Sequence, residues 1–441
     1  MSNNHKPNKR LSPYFLIVFS FLALILLGGF LLSLPISSNP SANFSVIDAF
    51  FVATSAVTIT GLVPVVDLSI TLTLFGKIVL GLLIQLGGLG IITLTIFIMI
   101  LIGAKIGITN RVLIRENLNM KSVSGVVSLI KKIILITFII ELLGFIINLI
   151  VFVPIYPLGK AIGISAFHAI SSFNNAGFDL LPGAGLVAHN GNVLLMINTG
   201  LLIILGGLGF IVILDLLKKK SFRGLTIHTR IVLMMNLILW VGGGLLLKLG
   251  QFGYQSITWL DAFVLAISTR TAGIPIVDMG ILTNFNGLVL IILMFIGGSP
   301  SSTAGGVKTT TIFTIFKTVY SFATGREAKT QNRRISDASK RKAFVLLSIA
   351  VTIVMAGTLL ILLFEEISIG QAIFEIVSAG SNTGYSLGLT PTLGTPSKLV
   401  VMLVMFIGRV GPVTIITLFN RNWYKVSTQN ITYLEERIII G

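Results

Sequence analysis

The fold is decided by one stretch, Asp48-Ala49-Phe50-Phe51-Val52-Ala53-Thr54-Ser55-Ala56-Val57-Thr58-Ile59-Thr60-Gly61-Leu62. It is a short apolar segment that runs into small hydroxyl residues and a glycine. A bilayer takes about 20 apolar residues to cross, so this segment is too short to span one. Because the apolar segments on either side are long enough, the stretch predicts a short helix that enters the membrane and turns back.

The same pattern returns three times along the chain. The further copies occupy residues 166–178, 261–274 and 372–385, and each contains a glycine that corresponds to Gly61. These glycines are Gly177, Gly273 and Gly384, and successive glycines are 116, 96 and 111 residues apart. Similar segments that recur at similar spacing indicate one structural unit used repeatedly.

A second landmark supports the repeat, because a glycine-containing motif lies in the long apolar segment after each turn. The four motifs are Leu86-Gly87-Gly88-Leu89-Gly90, Leu205-Gly206-Gly207-Leu208-Gly209, Ile296-Gly297-Gly298-Ser299-Pro300 and Ile407-Gly408-Arg409-Val410-Gly411. Their first glycines follow the turn glycines by 26, 29, 24 and 24 residues. We therefore expect four units, at residues 1–110, 111–225, 226–335 and 336–420, and a cytoplasmic tail at 421–441.

Composition places the chain in the membrane. Of its 441 residues, 54% are hydrophobic and only 11% are charged, against about 25% charged in a soluble protein. The chain has no cysteine, which excludes disulfides and thiolate chemistry. The formal net charge is +17, with Lys and Arg clustered in the N-terminus, the loops between units and the tail. This pattern follows the positive-inside rule, so we expect both termini in the cytoplasm and no nucleic-acid partner.

These patterns together predict an all-α integral membrane protein built from four M1–P-loop–M2 repeats around a pseudo-fourfold pore. We expect eight transmembrane helices plus four re-entrant pore helices that enter from outside. The spans are predicted at residues 14–34, 71–102, 126–153, 192–217, 231–249, 287–322, 343–364 and 398–419. All four units run in the same direction, which argues against an inverted-repeat transporter.

The four turns can offer backbone carbonyls to a common central site. Such carbonyls can replace the hydration shell of an alkali cation, and each short helix would aim the negative end of its dipole at the site. The alternative is four loops that merely pack together. The predicted selectivity-filter residues are Thr58, Ile59, Thr60, Gly61, Asn174, Asn175, Ala176, Gly177, Arg270, Thr271, Ala272, Gly273, Ser381, Asn382, Thr383 and Gly384.

The third unit contains an interruption in an otherwise apolar run. Glycines and a proline make a continuous helix across residues 297–308 unfavourable. The segment is either a plain kink or an intramembrane loop that gates a path below the turns. Arg409 occupies the matching landmark of the fourth unit, where we favour a pore-facing barrier over a structural ion pair. The predicted gate residues are Gly297, Gly298, Ser299, Pro300, Ser301, Ser302, Thr303, Ala304, Gly305, Gly306 and Arg409.

Glu141 is an acid within the first predicted helix of the second unit. Because first helices should lie outside a pore, we expect its carboxylate to be a buried partner for a hydrogen-bond donor. The main functional alternative is a proton- or sodium-coupled secondary transporter of another solute. Such coupling usually requires several intramembrane carboxylates, whereas Asp48, Asp215, Asp261, Glu365 and Glu366 lie at segment ends. A membrane enzyme has no nucleophile motif or metal-ligand cluster to support it.

The sequence resembles the Trk/Ktr/HKT superfamily of potassium transporters, and within it the membrane subunits of bacterial Ktr systems. The resemblance covers nearly the whole chain and rests on the four single-glycine turns, the interrupted helix and three motifs. These motifs are Asn174-Asn175-Ala176-Gly177-Phe178, Arg270-Thr271-Ala272-Gly273 and Gly408-Arg409-Val410-Gly411-Pro412. The fourth turn, Ser381-Asn382-Thr383-Gly384-Tyr385, departs somewhat from the family pattern.

The resemblance implies channel-like potassium uptake across a bacterial plasma membrane. It implies K+ as the permeant ion, held by the filter residues, with no cofactor and no fixed structural metal in this chain. It also implies a homodimer in the lipid bilayer and a cytosolic nucleotide-binding ring of KtrA/KtrC-type subunits, through which alone nucleotide would act. Sodium-dependent transport is compatible with it.

Overall fold

The structure is a computed structural model that describes residues 13–90 and 126–411 except 184, 220, 256 and 332, together with residues 93, 414 and 415. Most of the predicted loop after the first unit and the tail at 421–441 lie outside the described residues. The described chain is helical except for connecting segments and one short antiparallel hairpin. The elements are α1 (Pro13–Ser33), α2 (Val46–Thr58), α3 (Leu68–Thr71), α4 (Leu74–Leu89), α5 (Val126–Phe152), α6 (Leu158–Asn174), α7 (Val193–Leu208), α8 (Phe210–Lys218), α9 (Ile227–Gly250), α10 (Trp259–Thr269), α11 (Asn284–Phe295), α12 (Thr309–Ala323), β1 (Lys329–Thr330), β2 (Arg333–Arg334), α13 (Asp337–Phe364), α14 (Ile369–Ser381) and α15 (Thr395–Val410).

Four long helices carry the apolar surface of the molecule. Within the described residues, α1, α5, α9 and α13 are long and apolar enough to cross a bilayer, and the bent pair α7–α8 could form a fifth span. Large apolar side chains such as Phe19 and Phe138 are exposed on them, as lipid contact requires. The fold is that of a multi-pass helical membrane protein, and the number of eight spans stays a prediction.

Four shorter helices, α2, α6, α10 and α14, lie where the sequence predicts re-entrant segments. Reciprocal capping boxes define the starts of three of them, with Ser45 and Asp48 at α2, Thr258 and Asp261 at α10, and Ser368 and Gln371 at α14. Such caps satisfy backbone N–H groups that a helix start leaves free. Most side chains of the four helices are buried, so these helices form the interior around which the long helices pack.

In three units, the helix that follows the turn ends before the end of the predicted span. α4, α7 and α15 end at Leu89, Leu208 and Val410, directly before the last glycine of each landmark. Those glycines, Gly90, Gly209 and Gly411, have φ values of 81°, 94° and 91°. This conformation is incompatible with a continuing α-helix and is open mainly to glycine. In the second unit the chain bends by 96° between α7 and α8, so the predicted span at 192–217 consists of two helices.

Candidate functional site

The ends of three short helices adopt one unusual backbone geometry. α2, α6 and α14 each end at a left-handed residue, Ile59, Asn175 and Asn382, with φ values of 57°, 57° and 52°. Residues other than glycine rarely adopt this conformation, and they do so mostly at turns and functional sites. Each turn therefore departs from its helix in the same direction, two residues before the turn glycine.

Four buried serines hold these turns. The Ser55 hydroxyl accepts a hydrogen bond from the Gly61 amide at 3.0 Å, and Ser378 does the same for Gly384 at 3.0 Å. The Ser171 and Ser268 hydroxyls instead donate to the carbonyls of Phe178 (2.7 Å) and Ile274 (2.9 Å). The small hydroxyl residues seen in the sequence thus satisfy backbone groups that would be costly to bury unpaired.

The four turn glycines contact one another in cyclic order. A Cβ atom built on any one of them would overlap a backbone oxygen of the next turn, that of the residue just before the turn glycine. The fourth turn contacts the first in the same way. The glycines are Gly61, Gly177, Gly273 and Gly384, and the oxygens that they face are those of Ala176, Ala272, Thr383 and Thr60, respectively. All four glycines have positive φ. No side chain fits at these positions, so each glycine presents only backbone to the next turn.

The side chains of two turn asparagines connect neighbouring turns. Asn175 Oδ1 accepts a hydrogen bond from the Thr271 hydroxyl at 2.7 Å. Asn382 Nδ2 donates to the Thr60 hydroxyl at 3.0 Å. Both asparagines were predicted as filter residues, and both lie fully buried at the ends of their helices. Their amides therefore tie the second turn to the third and the fourth turn to the first.

The third turn differs from the other three. Arg270 ends α10 with right-handed φ and ψ values of −71° and −28°, and its guanidinium points away from the turns. It donates hydrogen bonds to the carbonyls of Gly297 (2.7 Å) and Ile296 (3.4 Å) and to Asn236 Oδ1. These carbonyls lie at the end of α11, where the helix stops and its last acceptors need new donors. Arg270 was predicted in the filter, and the structure brings its side chain to the broken helix instead.

The landmark glycines make room for the ends of the short helices. In the first, second and fourth units, a Cβ on the first landmark glycine would overlap a backbone oxygen four residues before the turn glycine. The contacts are Gly87 with Val57, Gly206 with Phe173, and Gly408 with Gly380. In the third unit Gly297 instead faces the Gly305 carbonyl. The interrupting segment thus occupies the place that a short helix holds in the other units.

The segment between α11 and α12 is a loop that lies against the second turn. Thr303 Oγ1 accepts a hydrogen bond from Asn175 Nδ2 at 2.9 Å, and Asn236 Nδ2 donates to Ser299 Oγ at 3.0 Å. The amide of Phe210, which opens α8, donates to the Ser301 carbonyl at 2.9 Å. Because the helix breaks at Gly209, the Phe210 amide is free to bind the loop.

Two cationic side chains bind three consecutive carbonyls of the loop. Arg409 donates through Nη1 to Thr303 and through Nη2 to Gly87, the latter at 2.6 Å. Lys308 Nζ donates to Ala304 at 2.7 Å and to Gly305 at 3.2 Å. The sequence predicted Arg409 beside the loop and missed Lys308. A cavity of about 350 Å³ lies against this side of the loop.

Glu141 has the kind of partners that the sequence predicted, and they lie beside the second turn. Its carboxylate accepts hydrogen bonds from Asn174 Nδ2 at 3.0 Å and from Gln85 Nε2 at 3.1 Å. The prediction missed Gln85, as it missed Asn236. Both are lone amides on predominantly apolar helices, and this isolation is the signal that could have identified them.

A fold in which apolar helices enclose converging backbone turns is typical of one class of protein, the multi-pass membrane transport proteins. Residues 3–424 match the TrkH cation transport protein family. Ktr system potassium uptake protein B of Bacillus subtilis is 35% identical over 98% of this chain and 97% of its own. Potassium/sodium uptake protein NtpJ of Enterococcus hirae is 36% identical over 98% of both chains. The potassium transporter TrkH of Vibrio parahaemolyticus shares the fold, with a TM-score of 0.72, 19% identity and coverage of 96% of this chain and 88% of its own.

The chain therefore belongs to the TrkH family of cation transport proteins. It is a transport protein and not an enzyme, which confirms the prediction from the sequence.

Proposed function

We propose that this chain mediates channel-like potassium uptake across the plasma membrane, with ion selection by the backbone carbonyls of the four turns. The observation that carries the proposal is the closed cycle of contacts between each turn glycine and the backbone oxygen of the next turn. A ring of carbonyl oxygens can replace the hydration shell of K+. Relatives named as potassium uptake proteins support K+ as the permeant ion, which needs no cofactor in this chain.

The proposed architecture is four M1–P-loop–M2 repeats around a pseudo-fourfold axis, with eight spans and four re-entrant helices. Shared left-handed caps, serines and landmark contacts support an equivalence of the units at 1–110, 111–225, 226–335 and 336–420. The proposed filter segments are residues 58–61, 174–177, 270–273 and 381–384. Arg270 would contribute only its backbone, since its side chain binds the end of α11.

The proposed gate is the loop at 297–306 together with Arg409. The loop bonds to the second turn through Thr303, and Arg409 and Lys308 hold its carbonyls. A positive charge near a narrow path of low dielectric repels a permeating cation more strongly than it would in water. Loop and cations together would thus close the path beside the cavity, and opening would require these hydrogen bonds to break.

The proposed assembly is a homodimer in the membrane with a separate cytosolic, nucleotide-binding ring of KtrA/KtrC-type subunits. The name of the Bacillus subtilis relative, a Ktr system protein, supports a system of more than one subunit. Exposed Arg333 and Arg334 on the hairpin offer a basic surface to such a partner. Both termini would lie in the cytoplasm. Nucleotide would act only through the partner. Because the Enterococcus hirae relative is named a potassium/sodium uptake protein, sodium is the second ion to test.

The filter is tested by substitution of a turn glycine. We expect Gly177→Asp to abolish K+ uptake without preventing membrane insertion, because its side chain would enter the ion path. Gly177→Ser should reduce uptake less and loosen the preference for K+ over Na+. The measurement is K+ uptake by cells that lack their own uptake systems, with Na+ as competitor.

Gly163→Ser is the matched control. Gly163 lies on the same short helix, and nothing lies within 4 Å of a Cβ built on it, so its uptake should equal that of the wild type. Wild-type uptake rates for Asp variants of any two turn glycines would contradict the filter. A coupled carrier of another solute would show little K+ uptake even in the wild type.

A further inference from the structure

A partly buried polar cluster lies behind the second turn, where three helices meet. It consists of Gln85 of α4, Glu141 of α5 and Asn174 of α6. Asn174 Nδ2 donates to Glu141 Oε1 at 3.0 Å and lies 2.8 Å from Gln85 Oε1, while Gln85 Nε2 donates to Glu141 Oε2 at 3.1 Å. Both oxygens of the carboxylate are therefore held in place, and both are held by neutral amides.

The carboxylate has no cationic partner in the described part of the chain. The ion pairs found there include Asp48 with Lys398 at 2.7 Å, but none involves Glu141. A half-buried carboxylate without a counter-charge is costly on a helix long and apolar enough to cross a bilayer. Glu375 also lacks a Lys or Arg partner, but it accepts from the hydroxyls of Ser386 and Thr390, beyond the fourth turn.

The cluster also contains more acceptors than hydrogens. The Asn174 amide has two hydrogens but three acceptors within 3.0 Å, because the Ile170 carbonyl lies 2.9 Å away. Asn174 Oδ1 is buried and has no partner among the described residues. An acceptor-rich cluster of this kind carries a negative potential, which favours a cation nearby.

Asn174 connects this cluster directly to the turn. It is the last residue of α6, next to left-handed Asn175 and three residues before Gly177. The cluster thus adds to the negative end of the α6 dipole. A cation in the ion path at the second turn, if that path is as proposed above, would balance the charge of Glu141.

We infer that Glu141 is a residue that determines cation affinity, positioned by Gln85 and Asn174, with the permeant cation at the second turn as its counter-charge. This inference rests on the proposed function. It extends the conducting site from the backbone of the turn to a side chain of a helix outside the filter. Glu141 does not touch the ion; it acts through Asn174 and through its charge.

The test compares two substitutions that separate charge from packing. Glu141→Gln keeps the shape of the side chain and removes its charge, so we expect the apparent KM for K+ uptake to rise about tenfold, which corresponds to 1.4 kcal/mol. The maximal rate and the thermal stability in detergent should change little. Glu141→Asp keeps the charge but is one methylene shorter, and its KM should lie closer to that of the wild type.

A purely structural role predicts instead that thermal stability falls together with any change in KM, because Gln puts an NH2 group where the carboxylate accepts a hydrogen bond and Asp shortens the side chain. A wild-type KM for Glu141→Gln overturns the inference. If that variant fails to reach the membrane, Gln85→Met removes one of the two donors to the carboxylate, and an unchanged KM there overturns it as well. Gly177→Ser separates the two proposals, since a filter variant with normal uptake and selectivity refutes the proposed function itself.

Discussion

At the scale of single residues, the site depends on glycines that have no room for a side chain. The turn glycines face backbone oxygens of neighbouring turns, and the first landmark glycines of the first, second and fourth units face oxygens of the short helices. Two kinds of glycine thus have two different roles. The first kind lets neighbouring turns approach each other, which would leave the proposed ion path open, and the second lets a short helix approach the helix that follows it.

The second landmark offers a matched pair of adjacent glycines to test this role. A Cβ on Gly206 would overlap the Phe173 carbonyl oxygen, whereas a Cβ on Gly207 would have its nearest neighbours 3.8 Å away. Gly206→Ala should therefore lower the free energy of unfolding by about 1–3 kcal/mol, the usual cost of overpacking. Gly207→Ala should have little effect or stabilise slightly, since alanine is the better helix former. Thermal denaturation of the two purified variants in detergent measures the difference, and equal melting temperatures would contradict it.

The sequence predicted the turns at this scale because small hydroxyl residues and glycine identify a position by composition alone. It could not predict where Arg270 points. A charged residue within a turn motif suggests an ion site, but the free carbonyls at the end of α11 bind the guanidinium instead. These carbonyls are free to accept hydrogen bonds only because α11 ends there. The residues around Arg270 in the sequence do not indicate such distant partners.

At the scale of elements, contacts at helix ends hold neighbouring helices in place. Asp48 caps α2 through Ser45 and also pairs with Lys398 in the first turn of α15 at 2.7 Å. One carboxylate thus joins the short helix of the first unit to the last helix of the fourth. Both side chains are mostly buried, at 9% and 11% exposure, so the pair is better shielded from water and salt than a surface ion pair.

We expect Asp48→Asn to destabilise the protein by about 1–3 kcal/mol, through the loss of the ion pair and the weakened cap. Burial raises the pKa of this carboxyl, but bonds from Lys398 and Ser45 outweigh it and hold the pKa below its usual 3.8. A carboxylate with a lowered folded-state pKa stabilises fully above its unfolded-state pKa and loses that effect as the pH falls through the lowered value. The difference in the free energy of unfolding between the wild type and Asp48→Asn should therefore be constant from pH 5 to 8 and become smaller only in strong acid.

Asp337→Asn is the control for that measurement. Asp337 pairs with Arg334 and Lys340, but its side chain is 63% exposed, and surface pairs contribute little. Its melting temperature should match that of the wild type. Equal losses in both variants would mean that the Asp48 pair contributes no more than an exposed one.

At this scale, the sequence predicted only some of the helix breaks. The broken helix of the third unit was predicted, because glycines and a proline occur together at 297–306. The breaks at Gly90, Gly209 and Gly411 were not, since apolar residues continue on both sides and hydropathy does not report φ. At Gly209 the reason for the break is tertiary. The freed amide of Phe210 donates to the loop of the third unit.

At the scale of the whole molecule, the loop contacts several units at once. It bonds to Asn175 of the second unit, to Arg409 of the fourth and, through Arg409, to Gly87 of the first. Repetition in the sequence predicts the four units, and this division stays a prediction. The sequence could not predict these bonds between units, because each joins residues more than 100 positions apart in the chain.

The last prediction tests the loop and Arg409 as a gate. Arg409→Ala removes a cation and its bonds to the Thr303 and Gly87 carbonyls, and deletion of residues 299–306 removes the obstruction itself. Both should raise K+ flux into liposomes that contain this chain alone, without any cytosolic partner. A charge at 4 Å costs a cation about 4 kcal/mol at an effective dielectric constant of 20. Even a third of that barrier corresponds to about a tenfold change in rate.

Lys132→Ala serves as the control, because Lys132 is exposed on α5, and its flux should equal that of the wild type. The filter must be shown to be intact in each variant, through an unchanged preference for K+ over Na+. This check matters most for the deletion, since the loop also supports the second turn through Thr303. If both gate variants insert normally, keep that preference and conduct no faster than the wild type, the segment is a structural kink. The cytosolic partner would then have to act on some other element.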